Sequence, residues 1–356
     1  MICREIILKN FRNIEDEKVT FGDGVNVLCG FNAQGKTNIL EGIYYFALGK
    51  SFRGASDREL IFHGRDNAEI SLDFTDMTRE RHHSVNLSVK EKKMCRKEGI
   101  KVSKLSEFIG IFRAVLFSPE VLSCVKDGPA ERRSFLDVAI SQIYPAYMAS
   151  LINYRKLLQN RNAVLKDSEN RNCDELLYVL SCQMAEEAER IARYRDEYTS
   201  MLASETNALI KEISLGKESV SMKYRTGKSR EEYLKLLTEN TEKEKILKTT
   251  LYGVHKDDLE IKLSGYDSRV YASQGQQRSI ALSMKLAEGE ISKKICGEYP
   301  VFLLDDIFSE LDDIRKDYIL SGLGNRQVII TCCEKIIKGN IYGISGGKIS
   351  KQSIQQ

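Results

Sequence analysis

Gly30-Phe31-Asn32-Ala33-Gln34-Gly35-Lys36-Thr37 is the stretch of sequence that decides the fold. It fits Gly-x-x-x-x-Gly-Lys-Thr, a pattern that indicates a phosphate-binding loop when it follows a strand and opens a helix. The segment Val25-Asn26-Val27-Leu28-Cys29 before it is short, β-branched and bounded by turn residues, which is typical of a buried strand. After Lys36, apolar residues recur at helical spacing until Gly49. The sequence therefore predicts a strand, a phosphate loop and a helix in succession.

The loop predicts a binding site for a nucleoside triphosphate. Backbone amides at the start of a helix point at anionic oxygens, and the helix dipole favours negative charge there. We expect Lys36 to reach the β- and γ-phosphates and the Thr37 hydroxyl to bind Mg²⁺. The residues predicted to hold the nucleotide in this loop are Gly30, Phe31, Asn32, Ala33, Gln34, Gly35, Lys36, Thr37 and Asn38.

A second stretch, Val301-Phe302-Leu303-Leu304-Asp305-Asp306, is an apolar run that ends in two carboxylates. It predicts a buried strand beside the loop, with Asp305 at the end of the strand holding Mg²⁺ through water. Asp306 would then orient or deprotonate the attacking water, so we predict Asp306 and Lys36 as the catalytic residues. Two carboxylates in a protein interior are costly without a cation, which favours a functional role over a structural one.

Between these halves lies Ala272-Ser273-Gln274-Gly275-Gln276-Gln277-Arg278-Ser279, followed by a helical pattern. Ser-x-Gly-Gln before a helix is a second place where backbone amides can bind an anion. A simple helix cap explains the same tetrapeptide equally well. Its order between the loop and the Asp305 strand favours the first interpretation, so we predict Ser273, Gly275 and Gln276 as further nucleotide-binding residues.

A large insertion separates the two halves of the nucleotide-binding head. About 260 residues lie between the phosphate loop and Asp305, far more than one α/β crossover contains. From residue 127 the pattern is helical, and an apolar stripe over residues 177–201 is typical of paired long helices that pack within the chain. Residues 167–172 are predicted as the turn of an antiparallel helical hairpin. We predict head residues at 1–120, a helical arm at 121–245 and the second part of the head at 246–356.

Length and composition place the chain among soluble intracellular proteins. Its 356 residues exceed what one hydrophobic core usually fills. Its nine cysteines are scattered, odd in number and without metal-binding spacing, which indicates a reducing cytoplasm. The start lacks the apolar core of a signal peptide, and no apolar stretch approaches the ~18 residues of a membrane span. We therefore expect a cytoplasmic protein without a membrane partner.

Any DNA-binding surface must come from local clusters of basic residues, because the formal net charge is only +3. A hairpin is predicted from strands at 68–75 and 84–90, with its exposed tip between them. The candidate DNA contacts are Arg79 and Arg81 at that tip, Lys90, Lys92, Lys93, Arg96 and Lys97 after it, and Arg132 and Arg133 at the base of the arm. Such runs are more often solvated faces, so each cluster stays a candidate. No base-reading motif accompanies them, which predicts sequence-independent binding.

The ordered trio of phosphate loop, Ser-x-Gly-Gln and Asp305 strand resembles the ABC-type ATPase heads of the SMC and RecF class. The resemblance implies an α/β fold, a P-loop ABC-type ATPase head with an inserted helical arm like an antiparallel coiled coil. It also implies that ATP and Mg²⁺ lie between two heads, with the Ser-x-Gly-Gln element of one subunit on the γ-phosphate held by the other. Ser309-Glu310-Leu311-Asp312 matches the loop that crosses that interface.

The resemblance narrows to the RecF family and spans nearly the whole chain. The segments that carry it are Leu8-Lys9-Asn10-Phe11-Arg12-Asn13, Gly24-Val25-Asn26-Val27-Leu28, Asn32-Ala33-Gln34-Gly35-Lys36-Thr37-Asn38, Leu116-Phe117-Ser118-Pro119-Glu120, Gly128-Pro129 with Arg132-Arg133-Ser134-Phe135-Leu136-Asp137, Gln159-Asn160-Arg161-Asn162 and Ser273-Gln274-Gly275-Gln276-Gln277-Arg278. It implies an ATP-dependent homodimer in recombinational repair and replication-fork maintenance. Such a dimer binds single-stranded and duplex DNA at gaps or junctions and helps RecO and RecR to load RecA.

Several positions depart from the family pattern. Val254 and Lys256 stand where Pro and Arg are usual, and Lys256 keeps the charge but loses the bidentate fork. A buried strand is also predicted at 327–331. Cys332-Cys333 follows it, where transporter-type heads carry a switch histidine, and Asp306 replaces the Glu of many ABC ATPases. The shorter side chain of Asp306 should position water less well, which predicts a weak, DNA-dependent ATPase in which ATP acts as a switch.

Two alternatives remain open at the level of sequence. One is an SMC-like structural or anti-phage head, and a nuclease appended to such a head would need an Asp/Glu/His cluster for its metals. The other is an ABC transporter subunit. It is disfavoured by the missing histidine and by the roughly 235 residues between the loop and Ser-x-Gly-Gln.

Overall fold

The structure is a computed structural model that describes residues 1–167, 173–310, 316, 322–324, 326–333 and 339–352, with the side chains of 121–123, 309, 310, 351 and 352 outside the description. It contains two compact units. The first unit is Met1–Ser123 with Ala281–Gln356, and the second unit is Cys124–Ile280. The domain boundaries predicted at 121 and 246 stay a prediction. The compact units themselves are delimited after Ser123 and after Ile280.

The elements follow one another along the chain as mixed strands and helices. The strands are β1 Ile2–Phe11, β2 Ile14–Thr20, β3 Val25–Cys29, β4 Asn67–Thr75, β5 Glu80–Ser88, β6 Met94–Lys97, β7 Ile100–Lys101, β8 Ala114–Phe117, β9 Val220–Arg225, β10 Asp258–Leu263, β11 Tyr266–Asp267, β12 Val301–Asp305, β13 Val328–Cys332, β14 Asn340–Ser345 and β15 Lys348–Gln352. The α-helices are α1 Lys36–Leu48, α2 Pro119–Leu122, α3 Pro129–Ile143, α4 Pro145–Lys166, α5 Cys173–Ile213, α6 Arg230–Glu239, α7 Thr241–Leu247, α8 Ser268–Tyr271 and α9 Gln274–Cys296.

A mostly parallel sheet forms the centre of the first unit, with the strand order β15-β14-β3-β13-β12-β8. Residues 301–305 of β12 and 328–332 of β13 are buried throughout, as expected for strands covered on both faces. Strand β13 lies between β3 and β12, so Thr331 pairs with Leu28 on one side and with Asp305 on the other. The carboxyl ends of these strands therefore meet where the phosphate loop begins. The strands predicted at 25–29, 301–304 and 327–331 are confirmed within one residue.

An antiparallel sheet with the order β2-β1-β4-β5-β6-β7 completes the first unit. The predicted hairpin is confirmed as β4 and β5, but β5 begins at Glu80, so the tip is shorter than predicted. His83 is buried inside β5 and contacts the rings of Phe74 and Phe108 edge-on and tilted, respectively. Its ring contacts are therefore packing contacts.

The predicted helix after the loop is confirmed as α1. It begins at Lys36 and ends at Gly49, whose φ of 65° is the left-handed conformation that glycine adopts most easily at a helix end. Most of α1 is buried, from Ile39 to Leu48, since apolar residues occupy nearly its whole surface. The helix is therefore a fixed support for the loop that precedes it.

The second unit is largely helical. Helices α4 and α5 run antiparallel, since Asn153 hydrogen-bonds Glu187 while Arg161, further along α4, hydrogen-bonds Ser181, earlier in α5. The predicted apolar stripe packs within the unit, with Leu177, Met184, Ala188, Ile191 and Tyr198 all buried. Most of the predicted turn, residues 168–172, lies outside the described residues. Although α5 has 41 residues, none of the helices in the described ranges is long and apolar enough to cross a membrane.

The second unit also contains a sheet of three strands. The sequence predicts a strand near residues 259–263, which is confirmed as β10, but it does not predict β9 or β11. Strand β9 lies in a stretch expected to be helical, and it pairs antiparallel with β10, which in turn pairs with β11. Gly128 occupies the N-cap position of α3, with Pro129 in the first turn. Pro129 fits there because its missing N–H would be unsatisfied in any case.

Candidate nucleotide site

The phosphate loop takes its shape from two glycines, at positions where a larger residue would clash or would be strained. Gly35 precedes α1 with a φ of +108°, a conformation that L-residues rarely adopt. A Cβ on Gly30 would lie 2.2 Å from the carbonyl oxygen of Ile344, so only glycine fits against β14. Ala33 is also left-handed, with a φ of 62°. The loop thus curls tightly between β3 and α1.

Lys36 lies inside this curl. Its side chain is buried, and Nζ donates hydrogen bonds to the carbonyl oxygens of Gly30 at 2.5 Å and Phe31 at 3.0 Å. Both acceptors are neutral, so the ammonium charge is solvated but not neutralised by them. A charged amine held by loop carbonyls is positioned to bind phosphate oxygens that enter the loop.

Asp305 lies at the carboxyl end of β12 and accepts two hydroxyl hydrogen bonds. Thr37 Oγ1 and Thr331 Oγ1 each donate to Asp305 Oδ1, both at 2.9 Å. Asp305 is buried, and burial raises the pKa of its carboxyl, with the charges of Asp306 and Glu120 adding to the rise. The structure therefore brings together Thr37 and Asp305, the two residues predicted to bind Mg²⁺.

Asp306 follows in an unusual conformation. Its φ is 48°, a left-handed value that costs free energy for a residue other than glycine and is found most often at functional sites. Its N–H donates to Thr331 Oγ1 at 2.8 Å, which fixes the turn, and its side chain is exposed. The reversed backbone separates the two neighbouring carboxylates, with Asp305 pointing inward and Asp306 facing solvent.

The remaining loop residues divide between solvent and support. Phe31 is 84% exposed, and Asn32 is also exposed. Gln34 accepts hydrogen bonds from the N–H groups of Gly346 and Gly347, which join the loop to the turn between β14 and β15. Asn38 Nδ2 donates to Asn13 Oδ1 at 2.8 Å.

A cleft of about 600 Å³ adjoins Asn38. Arginines at positions 12, 53, 58 and 65 line it. Arg12 forms a two-pronged ion pair with the buried Glu41, both contacts at 2.8 Å. Arg53, Arg58 and Arg65 outnumber the single carboxylate of Glu59 in its lining, so the cleft has a net positive charge.

The oxygens around Asp305 fit a magnesium ion. Carboxylate and hydroxyl oxygens are ligands that Mg²⁺ prefers, and in nucleotide sites it takes only one or two ligands from protein, with water and phosphate supplying the rest. Among the described residues, hydroxyls but no cationic side chains contact the Asp305 carboxylate. A buried carboxylate solvated only by hydroxyls is a place where a cation would be stabilising.

We expect Asp305→Asn to raise the melting temperature of the nucleotide-free protein at neutral pH by roughly 1–3 °C, the shift that less than ~1 kcal/mol produces in a unit of this size. A carboxyl whose pKa is raised on folding stabilises the fold below its unfolded pKa. It loses that contribution as the pH rises through the folded pKa, so its ionised form is a cost at pH 7. Asparagine keeps an Oδ1 for both threonine hydroxyls and carries no charge.

Calorimetry at pH 7 tests this, with Asp16→Asn on exposed β2 as the matched control. The same melts with Mg²⁺ and ATP should reverse the order, with the native chain gaining more than the variant. A lower melting temperature for the nucleotide-free variant would contradict the assignment of Asp305 as an uncompensated carboxylate.

Ser273, Gly275 and Gln276 belong to the second unit, at the start of α9. Ser273 and Gln276 form a capping box, in which Gln276 N–H donates to Ser273 Oγ at 3.3 Å and Ser273 N–H donates to Gln276 Oε1 at 2.8 Å. Gln276 Nε2 also donates to Glu218. The helix-cap interpretation therefore holds within this chain, and the nucleotide role of these residues stays a prediction. In the predicted interface loop, residues 311 and 312 and the side chains of 309 and 310 lie outside the description.

The sequence reading missed two residues beside the loop. Thr331 bridges Asp305 and Asp306, and its position at the end of a predicted strand was the available signal. Cys333 is exposed, with Sγ 3.5 Å from Lys36 Nζ and 2.9 Å from Asn32 Oδ1, to which it donates. The only sequence signal for Cys333 is its position where transporter-type heads carry a histidine.

The basic clusters predicted as DNA contacts are partly used inside the fold. Arg132 is buried and forms a two-pronged ion pair with Asp258, at 2.8 and 2.9 Å, so its prediction as a phosphate contact is wrong. Arg81 pairs with Asp76, Lys90 with Asp66 and Lys93 with Asp57. Arg79 and Lys92 remain exposed.

Comparison with known proteins gives the same assignment over nearly the whole chain. Residues 2–347 match the family model described as RecF/RecN/SMC N terminal domain. The chain is 41% identical over 337 residues to the DNA replication and repair protein RecF of Clostridium perfringens (strain SM101 / Type A), with 93% of each covered. It is 39% identical to RecF of Clostridium beijerinckii, with 99% of each covered.

Solved structures agree with these sequence matches. One described as the recombination mediator protein RecF with ATP in the RecFOR pathway has a TM-score of 0.92 and 35% identity, covering 99% of this chain and 98% of the other. An Smc head domain from Pyrococcus furiosus shares the fold alone, with a TM-score of 0.58 and 17% identity. The predicted fold class, an α/β ABC-type ATPase head with an inserted arm, is thereby confirmed. The chain belongs to the RecF family of DNA replication and repair proteins.

Proposed function

We propose that this chain is an ATP-dependent DNA-binding protein of recombinational repair and replication-fork maintenance. In this proposal two copies close around ATP and form a clamp on gapped or junction DNA. By family resemblance the clamp helps RecO and RecR to load RecA. The observation that carries the nucleotide part is the cluster of Lys36, Thr37, Asp305 and Thr331 at the carboxyl ends of neighbouring strands.

The chain's own groups have distinct parts in this proposal. Lys36 would exchange its hydrogen bonds with loop carbonyls for contacts to the β- and γ-phosphates. Thr37 and Asp305 would hold Mg²⁺, which when bound neutralises charge on the phosphates. Asp306, exposed at the end of β12, would orient or deprotonate the attacking water.

An ATP-gated clamp needs only a modest free energy from each nucleotide. Shifting a two-state equilibrium from 1:99 to 99:1 takes about 5.5 kcal/mol of differential binding. Two sandwiched nucleotides would supply this at ~2.7 kcal/mol each. Hydrolysis would withdraw that preference, so the lifetime of the clamp would follow the rate of hydrolysis.

Slow hydrolysis follows from two features of the site. Asp306 has a shorter side chain than Glu, so its carboxylate reaches less far toward a γ-phosphate. Cys333, rather than a histidine, lies beside Lys36, and a thiol is a poor hydrogen-bond donor. Turnover in the hundreds per second would contradict the proposed use of ATP as a switch.

We expect Asp306→Asn to lengthen the lifetime of the ATP-dependent complex on gapped duplex DNA by about 100-fold, the usual scale of general-base catalysis. The substitution keeps the shape of the side chain and removes its basicity, so ATP affinity should stay within about twofold. Fluorescence anisotropy of a labelled gapped duplex, chased with unlabelled DNA in the presence of ATP, measures this lifetime.

A non-hydrolysable ATP analogue provides the control, since with it the native chain and Asp306→Asn should dissociate at equal rates. Failure of the native chain to bind DNA with either nucleotide would refute the proposed function. Equal lifetimes of the two proteins with ATP would refute only the role of Asp306.

A further inference from the structure

The second unit contains a pocket of about 220 Å³ that the nucleotide chemistry does not use. Its walls come from helices α3, α4 and α5 and from the turn Val254–Lys256. The side chains that matter in it are Arg133, Asp137, Tyr154, Arg155, Arg195 and His255. Arg133 and Asp137 belong to the segments that carry the family resemblance, yet none of the six has a part in the proposed ATP binding.

A buried ion pair forms the floor of the pocket. Arg195 is 2% exposed and donates to Asp137 Oδ1 at 2.7 Å, to Tyr147 Oη at 3.0 Å and to the Val254 carbonyl at 2.8 Å. Tyr147 also donates to Asp137. These bonds occupy most of the donors of Arg195, so it supplies a fixed positive charge rather than a free fork.

A neutral histidine forms one wall. His255 Nε2 lies 3.2 Å from the Thr250 carbonyl, which can only accept, so the proton is on Nε2 and Tyr154 donates to Nδ1 at 2.7 Å. Burial, followed by the positive charges of Lys256 and Arg133, lowers the pKa of His255 to about 4. His255 is therefore uncharged at neutral pH, and both of its ring nitrogens are already hydrogen-bonded within the protein.

Two arginines at the rim keep unused donors. Arg155 on α4 gives one hydrogen bond, from Nη2 to Asp137 Oδ2 at 3.0 Å, and its side chain is 55% exposed. Arg133 on α3 also gives one, from Nη1 to the Asp257 carbonyl at 2.7 Å. A guanidinium has five N–H donors. With one hydrogen bond each to the described residues, Arg133 and Arg155 both keep donors available for a ligand.

The pocket has an excess of positive charge. Arg133, Arg155 and Arg195 line it together with the single carboxylate of Asp137, which leaves two positive charges in excess among the lining residues. An anion that entered would be attracted by this excess and would find two guanidinium groups with free donors.

We propose that this pocket binds a phosphodiester group of the DNA backbone, an inference that rests on the proposed DNA-binding function. A tetrahedral phosphate offers lone pairs in several directions, so guanidinium groups on two different helices can hold it from two sides. A planar carboxylate of a partner protein is satisfied by one two-pronged fork. Contacts to phosphate alone carry no sequence information, which agrees with sequence-independent binding.

The test is the salt dependence of DNA binding by the full chain with ATP, measured by anisotropy of a labelled gapped duplex over a range of KCl concentrations. We expect Arg155→Gln and Arg133→Gln each to weaken binding about tenfold and to reduce the slope of log K against log[salt] by about one, the signature of one lost phosphate contact. Lys156→Gln, the exposed neighbour of Arg155 outside the pocket, is the matched control and should change affinity less than twofold. Arg155→Lys keeps the positive charge but loses the two-pronged guanidinium, so its DNA affinity should lie between those of the native chain and Arg155→Gln.

The outcomes separate the two proposals. Native-like affinity and slope in both arginine variants, against a native chain that binds DNA, would overturn the pocket assignment and leave the proposed function standing. An equal loss in Lys156→Gln would also overturn it, since general surface charge would then suffice. If a deca-glutamate peptide bound the native chain but not Arg155→Gln, while the DNA slope stayed unchanged, the ligand would be a partner's carboxylate instead. A native chain that binds no DNA would refute both.

Discussion

We expect the Lys36→Ala protein to bind ATP about 100-fold more weakly than the native chain. Hydrogen bonds to charged groups contribute roughly 1.5–3 kcal/mol, and each ~1.4 kcal/mol is a factor of ten in affinity. Lys36 Nζ is already buried within the loop, so little side-chain entropy opposes its contacts to phosphate. Isothermal titration with ATP and Mg²⁺ measures the change.

Lys93→Ala is a suitable control for the structural cost of Lys36→Ala. Lys93 Nζ donates to the Gly49 carbonyl at 2.5 Å and to Tyr45 Oη at 3.0 Å, so its removal also leaves a loop carbonyl without its lysine donor. We expect Lys93→Ala to lose stability comparably and to keep native ATP affinity. Native affinity in Lys36→Ala would show that the loop does not hold the phosphates through this lysine.

Local patterns were sufficient to predict the nucleotide loop and its supports. The glycines at 30 and 35, the helix after Lys36 and the apolar run before Asp305 each follow from a few adjacent residues. The geometry confirms that Thr37 and Asp305 lie together, at 2.9 Å. Helix capping and period-two burial act over short distances along the chain, so a single sequence records them.

Contacts between distant residues could not be predicted in the same way. Arg132 is 126 residues from Asp258, its partner in the buried ion pair, and nothing near Arg132 in sequence marks it as buried. The role of Thr331 depends on the position of β13 between β3 and β12, which only the sheet order fixes. Strand β9 did carry a local signal, since Val220, Met222 and Tyr224 alternate with polar residues, but the surrounding helical pattern outweighed it.

Ser273→Arg is expected to abolish ATP-dependent dimerisation while ATP affinity stays near native. In the proposed dimer Ser273 of one copy contacts the γ-phosphate held by the Lys36 loop of the other. An arginine there adds several heavy atoms where two surfaces must close over the nucleotide, so the clash falls on the closed dimer alone. Binding of ATP to one chain uses Lys36, Thr37 and Asp305 and should be unaffected.

Ser229→Arg is the matched control, because Ser229 forms another serine capping box with the same pair of hydrogen bonds. Ser229 N–H donates to Glu232 Oε2 at 2.8 Å, and Glu232 N–H donates to Ser229 Oγ at 3.3 Å. Both substitutions therefore lose a helix cap, at about 1 kcal/mol each. Only Ser273→Arg should lose dimerisation, so any difference between the variants reports the proposed contact with ATP.

Sedimentation velocity of the native chain and of Ser273→Arg, each with and without ATP and duplex DNA, tests the proposed clamp most directly. The account predicts a native monomer that becomes a dimer on addition of ATP, and a Ser273→Arg protein that stays monomeric at saturating ATP. A native chain that remains monomeric with ATP and DNA, or a Ser273→Arg protein that dimerises as the native chain does, would contradict the proposal that ATP joins two heads through the loop and the Ser273 element.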